Sequence, residues 1–363
     1  DCKEMIVNYQ RPPVRIALMG LGRTFFEEHY PVFKKYPSLF RVVAACDLMR
    51  ERRDLIAKDF PECRMFRQYP DMLDEREIDI VDVTTPTADH VKHAMQALDR
   101  GFWTLLETPL ATSEDETRIL RGAVQKSKGR LLPVQRGLFA PDFLLARQMM
   151  LDPRIGEIYS IRVRQEDYVR RDDWQTVKRL GGGACYYAMT DLIMQTLKLL
   201  PMPPFQMWSD LKRVTSLGDS EDYVHANIKT RGVVSADIEY NGGVLAPCRE
   251  PSFTIRGTLG EFRVMAGARE GVLTAVDPAY SFPRRRSSVR TPPLEDLHED
   301  FKVLETRVAL PEGSLYGADA FWKCVYNTVR VAAPFPVQLD DAWAALRYAQ
   351  IMKDASPFGR QGV

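Results

Sequence analysis

The stretch VRIALMG (14–20), LGRTFFEEHYPVFKKYPSLF (21–40) and RVVAACD (41–47) decides the fold. A short apolar run, a glycine pair, a helix-like segment and a second apolar run ending in an acid spell one βαβ unit. Gly20 and Gly22 stand where the first strand turns sharply into the helix. A side chain there would keep a pyrophosphate from the helix N-terminus, whose free N–H groups attract anions. Asp47 ends the second strand, where a carboxylate can accept hydrogen bonds from both ribose hydroxyls and would repel a 2′-phosphate, favouring NAD over NADP. Arg23 and Thr24 follow the glycine pair and join the same set; for Arg23 a solvated side chain is the alternative. The third position of G-x-G-x-x-G holds Phe25 in place of the glycine that lets helix and strand pack closely. A plain α/β turn with no ligand is the competing reading of the whole unit.

The 363 residues allow two domains with two cores. Hydrophobic content of 45% and charged content of 27% are those of a soluble globular chain. A net charge of +1 gives no electrostatic case for nucleic acid or a membrane surface. A local basic cluster (Arg284, Arg285, Arg286, Arg290) carries no interleaved aromatic side chains, so it reads as a solvated loop. Six cysteines, at 2, 46, 63, 185, 248 and 324, form no C-x-x-C pair, and the five histidines have no ligand spacing, so no metal is indicated. Cys46 and Cys185 lie in apolar runs as expected for buried thiols, and a reducing cytoplasm fits best. No apolar run approaches the ~18 residues of a membrane span, and DCKEMIVNYQRPP at the start lacks a signal-peptide core.

Beyond Asp47 the pattern alternates. Helices are expected over 48–59, 71–76 and 89–99, with Thr87 as N-cap of the last, and another opening at Ser113 with Glu114 and Asp115 in its first turn. Strands are expected over 65–66, 78–84, 102–106 and 131–134. This is a doubly wound parallel sheet, and its ligands bind beyond the strand C-termini. Gly20, Asp47, Thr85, Glu107 and Gln135 should therefore share one crevice. Near residue 151 the pattern changes to consecutive strands, at 159–163, 205–214, 223–230, 233–240, 252–256 and 261–265, hence an antiparallel sheet. Asn241-Gly242-Gly243 supplies residues suited to positive φ. A glycine run and a helix (181–200) interrupt the strands, and helices are expected over 316–331 and 340–353.

At this point the sequence resembles the glucose–fructose oxidoreductase/inositol dehydrogenase (Gfo/Idh/MocA) family. The residues that carry the resemblance are Gly20-Leu-Gly-Arg23, His29-Tyr-Pro31, Val42 to Asp47, Val83-Thr-Thr-Pro86 with His90, and Glu107-Thr-Pro109. Ile155 to Ile158, Gly181-Gly-Gly183, Gly257 to Gly260 and Pro334 to Val337 continue it. The resemblance implies an N-terminal Rossmann domain over 1–135 that binds NAD, with NADP open because Arg50 stands near. It implies a C-terminal α/β domain over 136–363 with an open, mostly antiparallel sheet, whose last helices pack back on the first domain. It also implies a sugar-like or cyclitol substrate and a homodimer or homotetramer joined through the open sheet. Thr85, Pro86, His90 and Glu107 fall on the cofactor side; His90 as a satisfied surface histidine and Glu107 as a plain strand-end acid are the alternatives.

Two departures stand out. The family's Glu-Lys-Pro lysine is Thr108 here, and a hydroxyl cannot be cationic. The aspartate and histidine that follow the triple glycine in the family are Tyr187 and Asp191. Three readings compete. The chain is an oxidoreductase with a rebuilt acid/base set, in which Thr108, Tyr187 and Asp191 act and Arg164, Trp174 and Tyr186 meet the substrate. Or it is a catalytically degenerate dinucleotide binder: a sensor, scaffold or partner subunit. Or its cofactor redox-cycles within a lyase- or glycosidase-type turnover. Tyr187 and Asp191 are four apart, hence on one helix face. Ordinary packing is the alternative for Trp174, Tyr186 and Tyr187, and a solvated or salt-bridged carboxylate for Asp191.

Overall fold

Six short apolar segments pair in parallel: β1 (Val14–Met19), β2 (Phe40–Cys46), β3 (Arg64–Phe66), β4 (Ile80–Val83), β5 (Trp103–Leu106) and β6 (Leu131–Pro133). Their order across the sheet is β3-β2-β1-β4-β5-β6. The computed structural model describes residues 11–75, 77–247, 249–282 and 301–360. The basic cluster at 284–290, Cys2, Cys248 and Arg76 lie outside the described residues. β1 and β4 are buried almost throughout, as a parallel sheet covered on both faces requires. Connections reverse direction between β1 and β4, which opens a crevice at their carboxyl ends.

The helices α1 (Tyr30–Lys35), α2 (Arg50–Asp59), α3 (Tyr69–Leu73), α4 (His90–Asp99) and α5 (Glu114–Lys126) link these strands. Phe25 does not obstruct the first of them. It is fully buried, and residues Phe25–His29 form one π turn ahead of α1. Pro31 in the next turn has no N–H to continue the α ladder, and the wider turn takes its place. Ser113 caps α5 by accepting from the Glu116 N–H at 3.2 Å. Thr87 makes no such bond; it opens a 3₁₀ turn over Thr87–Asp89 that leads into α4. α3 starts at Tyr69, earlier than the acidic residues suggest, because Pro70 suits a first helical turn.

The second half begins with a helix the sequence pattern did not announce, α6 (Pro141–Met149), which buries Phe143, Leu145, Ala146 and Met149. An eight-stranded sheet follows, built from β7 (Ile158–Glu166), β8 (Pro204–Lys212), β9 (Tyr223–Thr230), β10 (Ser235–Asn241), β11 (Phe253–Gly257), β12 (Gly260–Val264), β13 (Glu270–Val276) and β14 (Val303–Ala309). Its order is β14-β13-β12-β11-β7-β10-β9-β8. All pairs are antiparallel except β7 with β10, so the sheet is mixed. The parallel pair is closed by a long crossover that includes α7 (Ala184–Tyr187) and α8 (Met189–Leu199). α6, α8 and α10 (Leu339–Ala355) cover one face. The other face carries charged pairs such as His225 with Asp237 at 2.9 Å and Arg263 with Glu261 at 3.2 Å.

Gly242 and Gly243 do not adopt positive φ. Glycine is required at 242 for another reason: a Cβ would lie 2.8 Å from the Asp222 carbonyl oxygen. The helix α9 (Gly317–Val331) returns to the first sheet and lays Trp322 against Phe33 and Phe40, with ring centroids 4.7 and 5.4 Å away. Among the described residues no helix is long and apolar enough to cross a membrane. Cys46, Cys63 and Cys185 are buried thiols without disulfides.

Candidate functional site

The crevice at the end of β1 and β4 has a volume of about 270 Å³. Its floor is the glycine turn. Gly20 has φ +91°, and a Cβ there would sit 3.0 Å from the Thr84 backbone. The Thr84 hydroxyl donates to the Gly20 carbonyl at 2.6 Å and ties the turn to β4. A Cβ at Gly22 would meet nothing closer than 3.9 Å, so that side is open. Asp47 holds the turn from the other flank: Oδ2 accepts from the Leu21 N–H and Oδ1 from the Met49 N–H, both at 2.8 Å.

Gly20, Gly22, Arg23, Thr24, Asp47, Thr85, Pro86, His90, Glu107, Thr108, Trp174 and Tyr187 all line this crevice. The fold thus brings together nearly all the residues that the sequence singled out. Arg52, Asp173 and Gln175 line it too and were not foreseen. Arg52 stands 3.5 Å from Asp47 Oδ2, whereas Arg50 turns outward to pair with Asp54. Helical spacing explains this, since residues two apart on α2 point in different directions.

Some residues are not where the sequence suggested. Gln135 is buried and does not line the crevice. Arg164 lies on the charged face of the second sheet beside Glu239 and Glu250, because strand alternation puts Ile161 and Val163 inward and Arg164 outward. Tyr186 points away from the crevice; its hydroxyl donates to the Thr112 carbonyl at 2.8 Å, and Lys353 sits 4.1 Å above its ring. Tyr187 and Asp191 do not share one continuous helix, since Ala188 breaks it with φ −123°. Tyr187 lies under the Arg171 guanidinium at 5.4 Å, and burial pushes its hydroxyl up to about 12, so it keeps its proton. His90 lines the crevice, but both ring nitrogens are engaged at 2.8 Å, with the Thr85 and Pro109 carbonyl oxygens.

Behind Glu107 lies a charged chain that sequence reasoning missed. His29, with no exposed surface, sits between Asp82 Oδ2 at 2.7 Å and Glu107 Oε1 at 2.9 Å. Burial alone would lower its pKa, but the two carboxylates outweigh burial and raise it to about 9. Glu107 also accepts from Arg136, which stands 3.8 Å from Glu28. Burial would raise the Glu107 carboxyl, yet Arg136 and His29 hold it down at about 2. Asp191, expected in the crevice, does not line it; it lies beside Gly137, the residue after Arg136. Burial raises its carboxyl to about 7, with Arg136 pulling down and Glu107 and Glu28 adding to the rise. Its Oδ1 is buried and has no hydrogen-bond partner. The sequence signal was an isolated His29 inside a helix, with no spacing to tie it to Asp82 or Glu107. Among the described residues no cluster of three His, Cys, Asp or Glu could hold a metal ion.

The model of the oxidoreductase family with an NAD-binding Rossmann fold matches residues 14–134, and that of the GFO/IDH/MocA C-terminal domain matches 143–263. The chain belongs to the Gfo/Idh/MocA oxidoreductase family. Its crevice is that of the family's NAD-binding domain. Among relatives, the scyllo-inositol 2-dehydrogenase (NADP(+)) of Bacillus subtilis is 23% identical over 252 residues, 69% of this chain and 68% of that protein. An uncharacterized oxidoreductase of Schizosaccharomyces pombe is 29% identical over 195 residues, and the match spans 53% of its length, about half. Among solved structures, an NAD-binding protein from Listeria innocua superposes with a TM-score of 0.77 at 18% identity, covering 94% of both chains. The WlbA dehydrogenase from Bordetella pertussis, solved with NADH and UDP-GlcNAcA, gives 0.76 at 17% identity and 97% of both. At these identities the structures share the Gfo/Idh/MocA fold.

Proposed function

We propose that this protein is an NAD(P)-dependent oxidoreductase that acts on a sugar, a cyclitol or a related carbinol or ketone, with Asp191 in charge of the proton. The observation that carries this reading is the Asp191 carboxyl: partly buried, unpartnered at Oδ1, and poised at about 7 under the influence of the Arg136–Glu107 pair, of which Glu107 lines the crevice. A group that titrates near neutrality can accept a hydroxyl proton in one direction and return it in the other. The glycine turn fits a dinucleotide, since a Cβ at Gly22 would meet nothing closer than 3.9 Å and Asp47 holds the loop through the Leu21 N–H.

Bound nicotinamide supplies the acceptor or donor of hydride. The protein's residues do the rest. Asp47 keeps free lone pairs for ribose hydroxyls, and Arg52 beside it is the cation available to a 2′-phosphate. Thr108 donates its hydroxyl to the reacting oxygen in place of a lysine. Tyr187 adds a second neutral donor, and Trp174 gives an apolar ring face a wall to stack on. The domain boundary near 135, a cytoplasmic location and a homodimer or homotetramer through the charged open sheet belong to the same proposal.

The test uses purified protein with NAD or NADP and a panel of inositols and sugars, following absorbance of the reduced nicotinamide. Turnover of a neutral polyol is expected, and Asp191→Asn should slow it about 10²–10⁴-fold with coenzyme affinity unchanged. Tight coenzyme binding with no turnover of any alcohol or ketone would assign the chain to sensing or scaffolding instead.

A further inference from the structure

We infer that the small cavity behind Tyr187 is a substrate subsite that takes a single hydroxyl group, served by Glu221, Ser216 and Arg171. This deepens the reading of the crevice as the site of an oxidoreductase for sugars or cyclitols, and rests on it. The cavity has a volume of about 10 Å³. Tyr187 and Gln175 line both this cavity and the crevice, so the two spaces share a wall.

The lining is polar and incompletely paired. Glu221 is 1% exposed, and its Oε1 accepts from the Cys185 N–H at 3.1 Å. Its Oε2 is buried and has no hydrogen-bond partner among the described residues, and the same holds for Ser216 Oγ and Arg171 Nε. Asp222, the other acid in the lining, is already engaged: its Oδ2 accepts from the Thr215 and Ser216 N–H groups, both at 2.6 Å. A buried polar atom without a partner is costly, and three around one space call for a group that serves them. The Glu221 carboxylate has little room to turn away, because a Cβ on the neighbouring Gly183 would already lie 2.3 Å from Oε1. On the crevice side the Arg171 guanidinium stands over the Tyr187 ring at 5.4 Å.

Size and chemistry together select the occupant. A space of this volume holds one water-sized group, a water or a hydroxyl, and is too small for a carboxylate or a phosphate. Arg171 offers an N–H donor, Glu221 an acceptor, and Ser216 either. A hydroxyl both donates and accepts, so it can serve all three. An ammonium has no lone pair for Arg171 and sets a second positive charge beside it. Burial raises the proton affinity of the Glu221 carboxyl, and a hydroxyl suits that group in either state. A polyol ring resting against Tyr187 places one hydroxyl in the cavity in place of a water, and the protein thereby reads one position of the ring. An analogue that lacks this hydroxyl leaves the buried groups unserved and is rejected.

The experiment is isothermal titration of the full chain loaded with NADH, using myo-inositol, scyllo-inositol and D-glucose and the mono-deoxy analogues of each. One mono-deoxy analogue of a bound parent should bind wild type about 10–100-fold more weakly than the parent. In Glu221→Ala and in Ser216→Ala that ratio should shrink to about threefold or less, with Glu221→Gln restoring part of it. NADH affinity reports that each variant is folded, and Ser216→Ala carries the test if Glu221→Ala does not fold. A merely structural role would weaken parent and analogue alike; an unchanged ratio in folded variants therefore overturns the proposal. Equal binding of every mono-deoxy analogue by wild type overturns it too and leaves the cavity to a water, as does a failure of all three parents to bind. Turnover is a separate readout. Discrimination in binding without turnover refutes the oxidoreductase reading and leaves the subsite standing, whereas turnover without discrimination refutes the subsite alone.

Discussion

In the proposed reaction, Asp191 joins chemistry and stability in one carboxyl. Its pKa is raised in the fold, from 3.8 to about 7, so the folded state favours its protonated form. The associated stability is complete below pH 3.8 and is lost as pH rises through about 7. Asp191→Asn removes the charge that must be buried. Thermal unfolding of that variant should therefore show a gain over wild type above pH 7 that vanishes below pH 3.8. His29 runs in the same sense over another window: its contribution holds below pH 6.5 and is lost through about pH 9. Arg52 allows a sharper test of coenzyme choice. Asp47 repels a 2′-phosphate, while Arg52 at 3.5 Å from it attracts one. Arg52→Ala should weaken NADP about tenfold or more and leave NAD nearly unchanged, as isothermal titration with each coenzyme would show.

At the scale of single elements, the glycine run before α7 is the most exacting. Gly183 has φ +113°, and a Cβ there would fall 2.3 Å from Glu221 Oε1. Gly183→Ala should cost about 1–3 kcal/mol in backbone strain alone, read as a lower urea midpoint. Elements with strong local signals were legible in the sequence. The βαβ unit from Val14 to Asp47 has two apolar strands and a glycine turn, β9 has strict alternation, and α5 has Ser113 followed by three acids. α6 was not legible, because its apolar residues run nearly all round and mark no single face. β13 and β14 were missed for a different reason: β14 is a polar edge strand whose identity comes only from its pairing with β13. In the site, residues on strand-end loops were found because topology alone places them at the crevice. Arg164 and Tyr186 were misplaced because charge and ring type say nothing about which face of a strand or turn they occupy. The His29 chain was invisible because its members lie 53 and 78 residues apart and meet only in the folded core.

Across the whole molecule, the two sheets are bound together by C-terminal helices. Trp322 on α9 is 1% exposed and packs edge-on against Phe33, Phe40 and His29, so it closes the back of the first sheet and backs the charged series at once. Trp322→Ala should cost about 3–5 kcal/mol in equilibrium unfolding. It should also loosen His29, visible as faster solvent exchange of the imidazolium N–H protons. α9 reaches further still. The Tyr326 hydroxyl donates to the Arg11 carbonyl at 3.1 Å, and Arg330 donates to the carbonyls of Pro12 and Pro13 and pairs with Asp79 at the head of β4. Translation delivers that clasp 315 residues after Arg11. Until then the nascent sheet emerges from the ribosome with Phe33 and Phe40 bare, a sticky surface that chaperones would have to shield. Chains released early, before α9 is made, should precipitate or be degraded rather than persist as a free nucleotide-binding half.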